Sequence, residues 1–343
     1  MENPGDTLVV VTGASGFIAL HCVRELLERG YRVRGTVRNL ASEAKLRRAL
    51  LPLEPGERLS FAAAELLSDT GWAEALAGAK YVLHVASPLP KERPKDDDEL
   101  IRPAREGALR VLRAARAAGV VRVVMTSSLA AIASGHPHDS GHVFDESDWS
   151  VLEQTAGAYE KSKTLAEQAA WEYVRGEGQG LELVTINPSF VLGPSLTGAD
   201  NASNEIVGKL VRREIPGVPQ LEFGLVDVRD VAKAHVLAMT TPNAAGQRFI
   251  VSSDTAWMRE IAQTLKGNGY RVPTFEIPNL VTRFVALFDP TLRMVTPRLG
   301  RRALLSAEKA RRELGWSGRA MKEMVLDTAK HISERPPAAP SAG

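Results

Sequence analysis

Short apolar runs alternate with amphipathic segments along the first half of the chain. The run Leu8–Val11 is continuously apolar, as in a parallel strand covered on both faces. The segment Phe17–Glu28 places its apolar residues at helical spacing, and Gly30 follows as a predicted C-cap. Further strands are predicted at 31–37, 60–63, 81–85, 121–126 and 183–186, and further helices at 71–76, 100–118 and 159–173. This alternation predicts an α/β fold with a doubly wound parallel sheet of the Rossmann type.

The alternation weakens after Pro188, where connections rich in proline and glycine begin. We expect an NADP-binding Rossmann domain over residues 1–190 and about 225–250, and a smaller C-terminal substrate-binding lobe over 191–224 and 251–333. A disordered tail is predicted for residues 334–343. A further helix is predicted between Ser306, as its cap, and Gly315, as its stop.

Composition narrows the class of protein. With 343 residues, 44% of them hydrophobic, the chain can bury a full core. Its formal net charge of +2 gives no electrostatic signal for nucleic acid or a membrane surface. The single cysteine, Cys22, excludes an internal disulfide framework, and we expect it to be buried in the first helix. Without a targeting signal or an apolar stretch of roughly 20 residues, we expect a cytoplasmic monomer or homodimer that acts on small molecules.

A glycine turn follows the first predicted strand. Gly13 and Gly16 open the first helix, and Ala19 stands where a third glycine would allow close packing of helix and strand. The pyrophosphate of a dinucleotide needs backbone N–H groups and a helix N-terminus at such a turn. The position of the turn between a strand and a helix therefore predicts a dinucleotide site.

The end of the second strand indicates which dinucleotide is bound. NAD-preferring sites place a carboxylate there, whereas this chain has Arg38, followed by Lys45. Because a guanidinium binds a phosphate well, we predict NADP as the cofactor rather than NAD.

A tyrosine and a lysine lie one helical turn apart, at Tyr159 and Lys163. Reduction of a carbonyl needs a proton donor, and a nearby ammonium is expected to lower the pKa of the tyrosine. Ser128 ends a predicted strand and is our candidate for the partner of the carbonyl oxygen, with Ser127 as its competitor. Lys161 lies two residues from the tyrosine and is expected to point elsewhere.

These motifs together resemble the extended short-chain dehydrogenase/reductases, and among them the aldehyde and ketone reductases similar to dihydroflavonol reductase and yeast methylglyoxal reductase. The resemblance covers roughly residues 7 to 330. It rests on Thr12 to Ala19, Val37-Arg38, His84 to Pro88, Thr126 to Ser128, Tyr159 to Lys163, Asn187 to Ser189 and Asp227 to Ala232.

The resemblance implies the catalytic set Ser128, Tyr159 and Lys163. It also implies that Glu65 and Leu66 flank the adenine, where an Asp-Leu pair is usual, and that no metal is required. The cofactor contacts implied are Gly13, Ser15, Gly16, Phe17, Ile18, Arg38, Lys45, Glu65, Leu66, Val85, Ala86, Ser87, Tyr159, Lys163, Pro188 and Ser189.

One departure from the family pattern bears on the substrate. Plant dihydroflavonol reductases hold the flavonoid with an asparagine where this chain has Ala133. We therefore expect a general carbonyl substrate in an apolar pocket set by residues 130–132, the loop 135–149 and the segment after Gly193. A metal cluster at His136, His138, Asp139 and His142 is disfavoured, because a mobile loop is a poor preformed cage.

Two other functions are alternatives to an NADPH-dependent reductase. A nucleotide-sugar epimerase or dehydratase could use the same fold, but dehydratases place an Asp-Glu pair where this chain has Leu129 and Ala130. A non-catalytic regulator that senses NADP is disfavoured by the intact Ser, Tyr and Lys set.

Overall fold

The structure, a computed structural model, describes residues 3–88, 96–136, 141–155, 157–198, 201–288 and 296–334. Its centre is a parallel sheet of seven strands in the order β11-β7-β5-β4-β1-β2-β3. The strands of this sheet are β1 (Leu8–Val11), β2 (Arg32–Val37), β3 (Leu59–Ala63), β4 (Tyr81–His84), β5 (Arg122–Thr126), β7 (Glu182–Pro188) and β11 (Arg248–Val251). β1 and β5 are buried along their whole length, as expected for strands covered by helices on both faces.

The helices follow the strands in alternation through the first part of the chain. They are α1 (Phe17–Glu28), α2 (Glu43–Leu50), α3 (Trp72–Leu76), α4 (Asp98–Ala117), α5 (Ala158–Arg175), α6 (Ala202–Val211), α7 (Val228–Thr240), α8 (Met258–Gly267), α9 (Asn279–Val285), α10 (Glu308–Leu314) and α11 (Met321–Ser333). α1 packs against α7, and α4 packs against α5. Cys22 lies fully buried in α1, as predicted.

The strand order reverses between β1 and β4. From β1 the chain first builds outward through β2 and β3, and then crosses to the other side of β1 for β4, β5 and β7. The connections at such a reversal leave in opposite directions, so a crevice opens outside the carboxyl ends of the two strands. The predicted glycine turn and the segment Val85 to Ser87 both lie at this reversal.

A smaller layer is built around a second apolar core. The strands β8 (Phe190–Leu192), β10 (Glu222–Asp227) and β12 (Asp254–Trp257) form a sheet, with β8 and β10 parallel and β12 antiparallel. Apolar side chains of this sheet pack with those of α6, α8 and α11. Two short parallel pairs complete the described strands: β6 (Val143–Phe144) with β14 (Leu304–Leu305), and β9 (Val218–Pro219) with β13 (Glu276–Ile277).

The predicted fold class is confirmed, and the predicted strands and helices of the first half are present within about two residues. The seventh strand, β11, and the helix α2 were not foreseen. Gly315 ends α10 with a φ of +62°, as predicted. Ala307 occupies the N-cap position, one residue after the predicted cap, and the hydroxyl of Ser306 accepts a hydrogen bond from the Glu308 N–H at 3.4 Å. The division into two domains stays a prediction, and the proposed tail lies, apart from Glu334, outside the described residues.

One glycine holds the start of α3 against the end of β3. Gly71 has a φ of +85°, and a Cβ added there would lie 2.2 Å from the carbonyl oxygen of Ala63. Gly78 shares the left-handed backbone, with a φ of +72°, but a Cβ there meets no atom within 4 Å. We predict that Gly78→Ala lowers the free energy of unfolding by about 1 kcal/mol through backbone strain. Gly71→Ala should lower it by roughly 3 kcal/mol or more, because the backbone must also move.

Urea denaturation of the two variants beside the unchanged protein measures this difference. Equal losses of stability would contradict the steric account.

Candidate active site

The glycine turn after β1 is pressed between the ends of β2 and β4. Gly13 has a φ of +65°, and an added Cβ would lie 3.0 Å from the Cβ of Ala86. The Gly13 N–H donates to Oγ1 of Thr36 at 3.1 Å, and the Ala14 N–H donates to the carbonyl of Thr36 at 2.8 Å. Only glycine fits at position 13, so no side chain covers the backbone of the turn on the side of the crevice.

The first turn of α1 faces the same crevice. Gly16 is the N-cap, and no side-chain hydrogen bond caps this end of the helix. Ser15 and Gly16 are exposed, while Phe17 and Ile18 are half-buried. Free N–H groups at a helix N-terminus bind anions, and the turn therefore fits the pyrophosphate of a dinucleotide.

A buried hydroxyl joins the two sides of the crevice. Oγ1 of Thr12 accepts hydrogen bonds from the N–H groups of Val85 at 3.1 Å and Ala86 at 3.0 Å. The same oxygen lies 2.9 Å from Nδ1 of His84. Since a hydroxyl has one proton, that proton goes to Nδ1, and His84 is neutral with its proton on Nε2. Burial, which acts together with the charge of Lys163, lowers the pKa of His84 to about 3 and keeps it neutral.

The cationic residues predicted for the adenine end are at the expected edge of the crevice. Arg38 directly follows β2 and Lys45 lies in the first turn of α2, and both are exposed. Within the described part of the chain neither side chain has a hydrogen bond or ion pair. Glu65 is exposed and Leu66 is half-buried, in the connection from β3 to α3. Arg38 and Lys45 are therefore available to bind the 2′-phosphate, which fits NADP as the cofactor.

The three predicted catalytic residues come together between β5 and α5. Tyr159 and Lys163 share one face of α5, and Nζ of Lys163 lies 5.8 Å from the centre of the Tyr159 ring. Lys163 donates to Oγ of Ser87 at 3.0 Å, which joins it to the segment after β4. Ser128 is the second residue after β5, and its hydroxyl interacts with the phenol of Tyr159. The serine, tyrosine and lysine therefore form one site.

The pKa of Tyr159 is higher than its ordinary value, whereas the spacing of the tyrosine and the lysine predicted a lower one. Desolvation of the phenol raises the pKa of Tyr159, although 37% of the residue's surface is exposed, and the hydrogen bond with Ser128 acts in the opposite direction. Burial also lowers the pKa of Lys163, to about 8, while Glu167 acts in the opposite direction. At neutral pH the site therefore holds a protonated phenol beside an ammonium.

The two competitors named from the sequence have other partners. Ser127 is buried and donates its hydroxyl proton to Glu167 in the core. Lys161 forms an ion pair with Asp97 at 2.8 Å, on another face of α5. Ser128, which is half-buried, keeps its hydroxyl beside Tyr159.

The substrate side of the site agrees only in part with the expected pocket. Residues 130–132 were expected to line the pocket. Ala131 and Ile132 are fully buried, and among these three residues only Ala130 keeps exposed surface. Pro188 ends the neighbouring strand β7, Ser189 directly follows it, and both are buried. The Ser189 N–H donates to the carbonyl of Val251 at 3.1 Å.

The histidines of the loop after β5 have local partners. His136 lies 2.8 Å from the carbonyl of Trp149, and His142 pairs with Asp148. His138 and Asp139 lie outside the described residues. Among the residues that are described, no group of three or more His, Cys, Asp or Glu side chains is arranged to hold a metal ion. No described helix is long and apolar enough to cross a membrane.

The sequence interpretation missed one charged residue of the site. Glu167 lies on α5 one turn beyond Lys163 and is fully buried, and its carboxylate pairs with Arg248 at 2.7 Å. A carboxylate on the buried face of a predicted helix, among Ala166, Ala169 and Ala170, was the available signal.

The fold and the site define a dinucleotide-binding protein of the Rossmann type with a serine, tyrosine and lysine set. Residues 9–252 match the model of the NAD dependent epimerase/dehydratase family. Cinnamoyl-CoA reductase 1 of Petunia hybrida is 34% identical over 339 residues, 98% of this chain and 95% of that protein. Cinnamoyl-CoA reductase 1 of Arabidopsis thaliana is 39% identical over 269 residues, 77% of this chain and 76% of that protein.

A solved structure shows the same architecture. Yeast methylglyoxal/isovaleraldehyde reductase Gre2, complexed with NADPH, superposes with a TM-score of 0.80 at 29% identity, over 95% of this chain and 98% of that one. The chain belongs to the NAD dependent epimerase/dehydratase family, the extended short-chain dehydrogenase/reductases. The family expected from the sequence motifs is thus confirmed.

The Thr12 hydroxyl gives a test of the crevice. Thr12→Val removes a buried acceptor and leaves the N–H groups of Val85 and Ala86 without a partner, which costs about 1–3 kcal/mol for each buried group. We expect the loosened turn to weaken NADPH binding roughly tenfold or more. Thr12→Ser keeps the hydroxyl and should bind within about twofold of the unchanged protein.

Titration of both variants with NADPH, followed by fluorescence, measures this effect. Equal affinity of the valine variant and the serine variant would show that the hydroxyl does not hold the crevice.

Proposed function

We propose that the protein is an NADPH-dependent reductase that converts aldehydes or ketones to alcohols. The observation that carries the proposal is the meeting of Ser128, Tyr159 and Lys163 beside the crevice. The relatives support it, since they are named as reductases and the yeast protein is named for two aldehydes. The free cations Arg38 and Lys45 favour NADPH over NADH.

NADPH supplies the hydride that reaches the carbonyl carbon. As negative charge develops on the carbonyl oxygen, the phenol of Tyr159 donates its proton to that oxygen. The phenol is protonated at neutral pH, as a proton donor must be. The product is an alcohol, and the proton lost from Tyr159 is replaced from solvent.

Ser128 and Lys163 prepare this transfer. Oγ of Ser128 accepts a hydrogen bond from the Ala130 N–H at 3.1 Å, so its own proton can be donated to the carbonyl oxygen. The ammonium of Lys163 lies near the Tyr159 ring and stabilises the phenolate that the transfer leaves. The family resemblance implies that the same ammonium would bind the nicotinamide ribose.

The rival activities fit the site less well. Leu129 and Ala130 form part of a short 3-10 helix and supply no carboxylate beside Ser128. A dehydratase needs acidic groups there. A regulator without catalysis would have no need of the assembled Ser128, Tyr159 and Lys163.

The proton donor can be tested with a matched pair of tyrosines. Tyr159→Phe should lower kcat for carbonyl reduction by roughly 10²-fold or more, since general acid catalysis contributes about that much. Binding of NADPH should stay within about threefold, because the ring remains. Tyr173→Phe, on the same helix, should leave kcat unchanged.

A panel of aldehydes, diketones and ketoesters, with oxidation of NADPH as the signal, provides the measurement. Turnover retained by Tyr159→Phe on every substrate would contradict the proposed function.

Cofactor choice can be tested at Arg38. A charge-assisted hydrogen bond to phosphate contributes about 1.5–3 kcal/mol, so Arg38→Ser should raise KM for NADPH roughly 10- to 100-fold. KM for NADH should change little. Arg311→Ser is the control, because Arg311 is exposed on α10, which packs near β11 at the opposite edge of the sheet.

Steady-state kinetics with both coenzymes measure this preference. If the two KM values rise together, Arg38 does not read the 2′-phosphate.

A further inference from the structure

The carboxylate of Glu167 is fully buried and receives five hydrogen-bond donors. Oε1 accepts from Trp171 Nε1 at 3.2 Å, from Thr185 Oγ1 at 3.0 Å and from Arg248 Nε at 2.7 Å. Oε2 accepts from the Ser127 hydroxyl and from Asn187 Nδ2 at 2.8 Å. A buried carboxylate is tolerated only with such compensation, and here every lone pair is used.

Four of the five donors lie on or directly after three neighbouring strands, and the fifth, Trp171, lies on α5 itself. Ser127 follows β5, Thr185 and Asn187 belong to β7, and Arg248 begins β11. Asn187 Nδ2 also lies 3.2 Å from the carbonyl oxygen of Ser128. The carboxylate of Glu167 therefore holds the helix of Tyr159 and Lys163 in place against the strand end that carries Ser128.

Arg248 extends the same network to the loop on the substrate side. Its Nη1 donates to the carbonyls of Glu146 at 2.9 Å and Asp148 at 2.7 Å, and its guanidinium lies 3.8 Å from the centre of the Trp149 ring. The carboxylate of Glu146 in turn accepts from the Ile250 N–H at 2.9 Å. Residues 146–149 of the loop are thus fixed to β11, in part through Arg248, the ion-pair partner of Glu167.

We propose that Glu167 is a positioning residue of the reductase, which aligns Ser128 with Tyr159 and Lys163 and, through Arg248, fixes the loop on the substrate side. This inference rests on the proposed function. The carboxylate touches neither substrate nor cofactor, and it acts through the residues that do.

The charge of Glu167 also reaches Lys163, and this separates the proposal from a purely structural role. The titratable groups around Lys163 are Tyr159 and Glu167 on α5 and His84 on β4. Of these, Glu167 raises the pKa of Lys163 and so preserves the ammonium. Loss of this carboxylate should therefore move the deprotonation of Lys163 to lower pH.

The first test compares Glu167→Gln with Glu172→Gln in the full-length enzyme supplied with NADPH. Glu172 lies on the same helix but is exposed. We expect Glu167→Gln to lower kcat roughly 10- to 100-fold, in the range of misplaced catalytic groups, while Kd for NADPH stays within about threefold. The alkaline limb of kcat should move down by roughly half a pH unit or more. Glu172→Gln should match the unchanged enzyme in all three measurements.

A second pair of variants keeps the proposal testable if Glu167→Gln alone does not fold. Glu167→Gln leaves the Arg248 guanidinium without its partner, whereas the double variant with Arg248→Met removes both charges, an exchange that buried ion pairs often tolerate. The alkaline limb should move down in the double variant as well. Arg248→Met alone keeps the carboxylate, so it should raise KM for the carbonyl substrate without moving that limb downward.

The outcomes separate the two claims. If Tyr159→Phe abolishes turnover but Glu167→Gln leaves kcat and the alkaline limb unchanged, the reductase stands and the positioning role is overturned. The role is also overturned if kcat falls with the limb in place, or if neither Glu167 variant folds, because Glu167 then serves stability alone. Turnover by Tyr159→Phe would instead overturn the proposed function.

Discussion

The reversal of strand order between β1 and β4 is the constraint on which the site depends. It opens a crevice at the carboxyl ends of the central strands, and the residues with chemistry lie around it. The Thr12 hydroxyl bridges the reversal by holding the backbone after β4 against the turn after β1. Gly13 must then lack a side chain, because the bridge brings Ala86 within contact of it.

The sequence predicted the parts of the site that depend on local spacing. The glycine turn, the pair Tyr159 and Lys163, and the hydroxyl pair after β5 are each readable within a few residues, and the alternation of strands and helices predicted their common edge. The seventh strand, β11, was missed, because it is short and follows a region where the alternation is weak. Glu167 was missed because its partners are separated along the chain and meet only through strand pairing.

The sign of an electrostatic effect was the harder prediction. Spacing along a helix correctly brought Lys163 near Tyr159, and an ammonium does favour a phenolate. Desolvation acts on both groups, however: it raises the pKa of the phenol, although Tyr159 keeps 37% of its surface exposed, and it lowers the pKa of the buried amine. Burial depends on how α5 packs against the sheet, which no local pattern reveals.

The position of β11 has a consequence for how the protein is made. The turn after β1, the cations after β2 and the segment after β4 all come from the first 90 residues or so, and the strand pairs that bring them together lie within that part of the chain. The strand end that carries Ser128 depends on a later part of the chain, because Arg248 reaches it only when β11 pairs with β7. A chain emerging from the ribosome therefore contains the nucleotide-binding residues well before Arg248, so the catalytic edge can be completed only after β11 has been synthesised.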